Sequence, residues 1–181
     1  MKKSLTVIIA VVLILLMGTS CKKTTTVNGG SWTFKDSTNA TVNYTVTSGI
    51  ANVSLNPAAY GLYSIAQLVT AAQTGSSYGS IVFTFYSYPT ASGQYTITPN
   101  QYPDSGSHEI AINMILATGS NYAQKNFNPS ASSAAGATAN VTVMGNGYVK
   151  IAIPSLEMVN YYNPTDSGLL TTNVMQTQAP E

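Results

Sequence analysis

The only histidine of the chain, His108, stands in the run "PDSGSHE" (103–109), crowded by hydroxyls and carboxylates. Asp104, Ser105, Ser107 and Glu109 are the side-chain types a nucleophilic hydrolase assembles: a hydroxyl, an imidazole base and an acid behind it. The pattern argues against that chemistry. A strand opening at His108 sends His108 and Glu109 to opposite faces, and no G-x-S-x-G elbow presents a serine. An exposed histidine beside a loop is the expected state. Zinc asks for several nitrogen, sulfur or carboxylate ligands, which one histidine and one cysteine do not supply. Two D-S-G units, at 104–106 and 166–168, each offer a single acid to calcium, an ion that takes about six to eight oxygens. Turn formation by the aspartate is the preferred reading. Calcium is the one cofactor kept open, and otherwise none is expected. The six acids (Asp36, Asp104, Glu109, Glu157, Asp166 and Glu181) show no spacing that pairs two across a glycosidic bond. The chain is expected not to be an enzyme.

Binding is the stronger reading. The chain holds 12 tyrosines, and tyrosine combines apolar area with a hydroxyl that hydrogen-bonds. Tyr86, Tyr88, Tyr102, Tyr122, Tyr161 and Tyr162 fall in or near turns, where binding residues collect. Tyr86, Tyr88, Tyr102, Tyr161 and Tyr162 are the candidate ligand-binding set, for a glycan or a peptide. The competing reading packs them along loop edges. Trp32, within an alternating run, is expected in the core rather than on a sugar.

The chain begins "MKKSLTVIIAVVLILLMGTSC". Lys2 and Lys3 form a basic start, 5–17 is apolar apart from Thr6, and Gly18, Thr19 and Ser20 follow, the layout of an export signal. A membrane span needs about 20 apolar residues, and this run falls short. With "SCKK" at 20–23 the segment resembles bacterial lipoprotein signals, in the looser form common in Bacteroidota. Gly18 replaces the leucine usual three positions before the cysteine. The resemblance implies removal of residues 1–20 and acylation of Cys21, which becomes the first residue of an outer-membrane lipoprotein. A retained anchor helix and a cleaved, unlipidated product are the alternatives. Several acyl chains hold a protein stably where a single chain is marginal. Residues 21–30 then read as a flexible tether. Some surface-exported lipoproteins carry acids just after the cysteine. Lys22 and Lys23 stand there instead, which favours the periplasmic face.

The composition fits an extracytoplasmic domain. Only 7% of residues are charged, and all seven basic residues are lysines. Two of them precede Cys21, so the remainder sets five lysines against six acids, a net charge of about −1. Without arginine or a basic patch, nucleic acid is excluded as a partner. The implied partners are the membrane, through the lipid, and a glycan or another envelope protein.

From Gly30 onward the apolar residues recur every second position, the signature of half-buried strands. "SWTFKD" (31–36), "ATVNYTVTS" (40–48), "IANVSL" (50–55), "GSIVFTFYS" (79–87), "QYTITP" (94–99) and "HEIAINMILAT" (108–118) are strands. "LYSIAQLVTAA" (62–72) fits either a strand or a short helical face. Residues 119–137 read as a long connection. "ANVTVMGNGYVKIAI" (139–153) is a hairpin turning at "GNG". Residues 160–168 read as a turn region, 169–176 as a closing strand and 177–181 as a frayed tail. Eight to ten strands in a single domain, 31–176, point to an all-β antiparallel β-sandwich, with a small β-barrel as the alternative. "SWTFKD", "GQYTIT" and the hairpin resemble β-rich domains of small Bacteroidota lipoproteins, and carry no catalytic residues with them.

Overall fold

The computed structural model describes residues 30–54, 65–74, 77–104, 106–118, 123–144 and 148–178. Among the described residues ten strands form: β1 (Ser31–Asp36), β2 (Thr41–Ser54), β3 (Ile65–Thr74), β4 (Ser77–Phe85), β5 (Gly93–Thr98), β6 (Glu109–Thr118), β7 (Ala123–Pro129), β8 (Thr138–Val143), β9 (Tyr148–Asn160) and β10 (Asn163–Gln178). A one-turn helix, α1 (Ala131–Ala134), joins β7 to β8. The leader, Cys21, Tyr122 and the "GNG" turn lie outside the described residues.

The architecture is the expected all-β, largely antiparallel sandwich. Neighbours run β10-β1-β2-β3-β4-β6-β5-β8-β9-β7, with further β10–β9 and β6–β7 pairings. Each described strand therefore pairs with at least two others. The ladder order returns on itself through β9 and β10, the one trait shared with a barrel. The interior is nonetheless occupied by large side chains. Trp32, Tyr44, Phe83, Phe85, Phe127, Ile110, Ile151 and Ile153 are among its fully buried side chains. Trp32 lies in that core, stacked on Tyr44 with ring centroids 3.9 Å apart.

Three sequence expectations need correction, and one alternative is resolved. The runs expected at 40–48 and 50–55 merge within Thr41–Ser54 into one strand, β2, with a register shift between Val46 and Ser48, because a bulge interrupts the alternation without ending the pairing. Of the segment 62–72, left open between strand and helix, the described part from Ile65 onward is strand, in β3 between β2 and β4. The long connection at 119–137 holds β7 and α1. Its alternation rests on one large apolar residue, Phe127, with asparagines on either side, so the usual β-branched signal is missing. The turn region at 160–168 shrinks to residues 161–162, and β10 runs on to Gln178, into what reads as tail. There the register slips between Asn163 and Ser167, which is why that stretch reads as irregular.

One connection decides where a site can form. β5 and β6 are parallel neighbours, with Thr96 beside Glu109 and Thr98 beside Ala111. Parallel neighbours cannot be joined by a tight turn. The ten residues between them must therefore leave β5, double back and lie over the sheet.

Candidate functional site

Alternation sorts β4, β6 and β7 into two faces. Ile81, Phe83, Phe85, Ile110, Ile112, Met114 and Phe127 point into the core. Val82 and Thr84, then Ala111 and Asn113, then Asn126 and Asn128 point outward. The register sets Val82 beside Asn113 and Thr84 beside Ala111. On the next strand, Asn113 Nδ2 donates to Asn128 Oδ1 at 2.8 Å. An outward face is ordinarily wet, yet Thr84 and Ala111 are buried. Residues 99–102 of the returning connection lie over them.

Beneath that cover lies a cavity of about 590 Å³, lined by Asn100, Gln101 and Tyr102 from the connection and by Val82, Thr84, Ala111, Asn113, Asn126 and Asn128 from the strands. Tyr161, from the β9–β10 turn, closes one side. None of the lining residues carries a charge. Five amide side chains and two phenol rings meet there. Each amide both donates and accepts hydrogen bonds, and the rings add flat apolar faces.

The covering loop is held by its own polar groups. Asp104 N–H donates to Glu109 Oε2 at 2.9 Å, and Ser107 Oγ donates to the Asp104 carbonyl at 2.6 Å and to Glu109 at 3.2 Å. Glu109 thereby draws the loop back onto the start of β6. His108 leans on Tyr95, ring centroids 5.2 Å apart, on the exposed side. Serine and carboxylate thus meet directly, without the imidazole between them.

The Tyr161 turn is fixed from the other side. Tyr161 N–H donates to the Asn126 carbonyl at 2.8 Å, and Tyr162 N–H donates to Asn160 Oδ1 at 3.0 Å. The buried Asn160 donates in turn to Asp166 Oδ2 at 3.1 Å, which also takes Lys125 Nζ at 2.7 Å. The lysine hydrogen bond, ahead of the opposing effect of burial, holds the Asp166 carboxyl below the usual aspartate range. That oxygen of the second D-S-G unit thus serves an ammonium and an amide. The unit's glycine has a packing reason: a Cβ on Gly168 would sit 2.4 Å from Phe34 Cζ and 2.6 Å from the Lys35 carbonyl oxygen. Among the described residues no group of three or more His, Cys, Asp or Glu side chains is placed to hold a metal.

Of the tyrosines singled out by sequence, Tyr102 and Tyr161 come together in this cavity. Tyr162 stands beside it, 75% exposed, its ring edge-on to Tyr161 at 5.1 Å. Tyr86 is half-buried outside the lining, and Tyr88 packs against the core. The Tyr88 hydroxyl is buried with no hydrogen-bond partner among the described residues, and desolvation pushes its pKa up to about 12. Sequence reasoning missed all five amides. The signal was there in "NFN" (126–128), asparagine at both outward positions of a strand, where it is disfavoured.

In comparisons with known proteins no family model matches, and neither the curated proteins nor the solved structures yield a match.

Proposed function

We propose that the protein is a lipid-anchored, non-catalytic binding module of the cell envelope, and that its outward amide cavity holds an uncharged glycan. One observation carries the binding half: five amides and two tyrosines converge on one hollow whose lining has no charge. Sugar hydroxyls donate and accept together, as amides do, and the apolar faces of sugar rings suit phenol rings. Phosphate or carboxylate ligands would find no cation in that lining. A volume of about 590 Å³ is in the range of ordinary ligand pockets.

The anchoring half rests on the resemblance of residues 1–23 to lipoprotein signals. It implies acylated Cys21, the outer membrane, and the periplasmic face on account of Lys22 and Lys23. The alternative is a purely structural envelope protein or assembly subunit. Assembly by strand addition needs an unpaired edge, and each described strand already has two neighbours. That observation favours the binding reading.

Two measurements test the proposal. Intact mass of protein from membranes should show acyl chains that Cys21→Ala abolishes, and unmodified Cys21 would refute the anchor. A panel of neutral and acidic oligosaccharides should give saturable binding to neutral members alone. Preference for the acidic ones, or no binding at all, would refute the glycan assignment.

A further inference from the structure

β7 separates two hollows. Asn126 and Asn128 face the amide cavity, whereas Lys125 and Phe127 face a second cavity of about 480 Å³. This one lies beneath the β1–β2 hairpin and the first residues of β10, and its chemistry is the reverse of the first. Phe34, Tyr44, Leu116 and Phe127, all buried, form an apolar and largely aromatic floor. Asp36, Lys125 and Asp166 stand at its mouth.

The mouth has an unbalanced charge: two carboxylates share one ammonium. Lys125 is bound to Asp166, and the Lys125 and Asn160 bonds both fall on Asp166 Oδ2. Asp36 likewise takes its three bonds on one oxygen. Thr38 N–H, Thr38 Oγ1 and Ala40 N–H reach Oδ1 at 2.9, 2.7 and 3.0 Å. Among the described residues this leaves Asp36 Oδ2 and Asp166 Oδ1 as acceptors turned to no donor. Hydrogen bonds from Thr38 and from Lys125, respectively, hold both carboxyls below their ordinary range, so both are ionised at neutral pH.

Electrostatic complementarity then selects the ligand. An anion meets a net negative mouth. A bare divalent ion requires many oxygens and meets the Lys125 ammonium at Asp166. A second ammonium gains charge-assisted bonds to the two open oxygens, and an apolar stem behind it fills the floor, against phenyl and phenol rings. We infer that this second cavity, independent of the glycan reading, binds a primary organic ammonium carrying an apolar stem, head group between Asp36 and Asp166 and stem against Phe34 and Phe127.

The test is a methyl-detected NMR titration of the full chain, purified from membranes, with butylammonium chloride. Butanol, butyrate and calcium chloride serve as matched probes. The expected result is saturable movement of the Leu116 and Val42 methyl signals with butylammonium alone. Asp36→Asn, which keeps the Oδ1 acceptor of the hairpin, should weaken binding about fivefold, and Asp36→Asn/Asp166→Asn should abolish it. Methyl signals far from the cavity report that both variants fold. Equal binding of butanol, a response to calcium in place of the amine, no saturation, or undiminished binding in the folded double variant would each overturn the inference.

Discussion

Gly79 is a glycine in the middle of a strand, where it lowers strand stability unless something needs the space. The stacked rings of Trp32 and Tyr44 need it. A Cβ at position 79 would sit 2.4 Å from Trp32 Cη2, 2.6 Å from Cζ2 and 3.1 Å from Tyr44 Cε1. Trp32 is 0% exposed and cannot swing away. Gly79→Ala must therefore displace the indole, and overpacking of this kind costs about 1–3 kcal/mol. For a domain of this size that corresponds to a fall in Tm of roughly 2–12 °C. Gly93→Ala is the matched control. It also lies in a strand, with nothing within 4 Å of the added Cβ. Restricting the unfolded chain there should leave stability unchanged or raise it by about 0.4–1 kcal/mol. Urea and thermal unfolding of the two variants beside the wild type decide the matter. Wild-type stability in Gly79→Ala, or equal losses in both, would refute the packing argument.

Three further outcomes are expected. Tyr88→Phe removes a buried hydroxyl that has no partner among the described residues and should stabilise the fold by about 1 kcal/mol. Because its folded pKa is raised to about 12, wild-type stability is intact below the unfolded value of 10.0 and falls as pH rises through that window, a loss that unfolding at graded alkaline pH should find reduced in Tyr88→Phe. Asp36 and Asp166 have lowered folded pKa values, so their contribution is present above the unfolded value of 3.8 and is lost as pH falls below it; acid titration of stability should show a steep limb that Asp36→Asn/Asp166→Asn flattens. Tyr161→Ala removes a ring 67% exposed and should change stability by no more than about 0.5 kcal/mol while weakening glycan binding about tenfold in a calorimetric titration.

Fold class was legible because most strands obey strict alternation. The inward set Ile81, Phe83, Phe85 and the set Ile151, Ile153 can be read directly off the chain. The site was legible only in part. Tyr102 and Tyr161 stood out as aromatic residues near turns, but turn position alone does not separate them from Tyr88, whose ring the core absorbs. Asn126 and Asn128 escaped notice because β7 escaped notice: one inward phenylalanine between two asparagines lacks the density of apolar residues by which strands are recognised. Convergence of the amides also depends on pairing. Asn113 and Asn128 lie 15 residues apart in sequence and meet only because β6 and β7 are neighbours. The cover over them follows from the parallel β5–β6 pairing, a feature of topology that local sequence does not encode.

The central claim is that an uncharged glycan occupies the amide cavity. Its most direct measurement is an NMR titration of the protein with a neutral oligosaccharide, following the side-chain amide signals of Asn113, Asn126 and Asn128. The account predicts saturable shifts of these three signals that Asn128→Ala removes, with the signals of the β1–β2 hairpin undisturbed. Shifts confined to other surfaces, or binding that survives unchanged in Asn128→Ala, would contradict it.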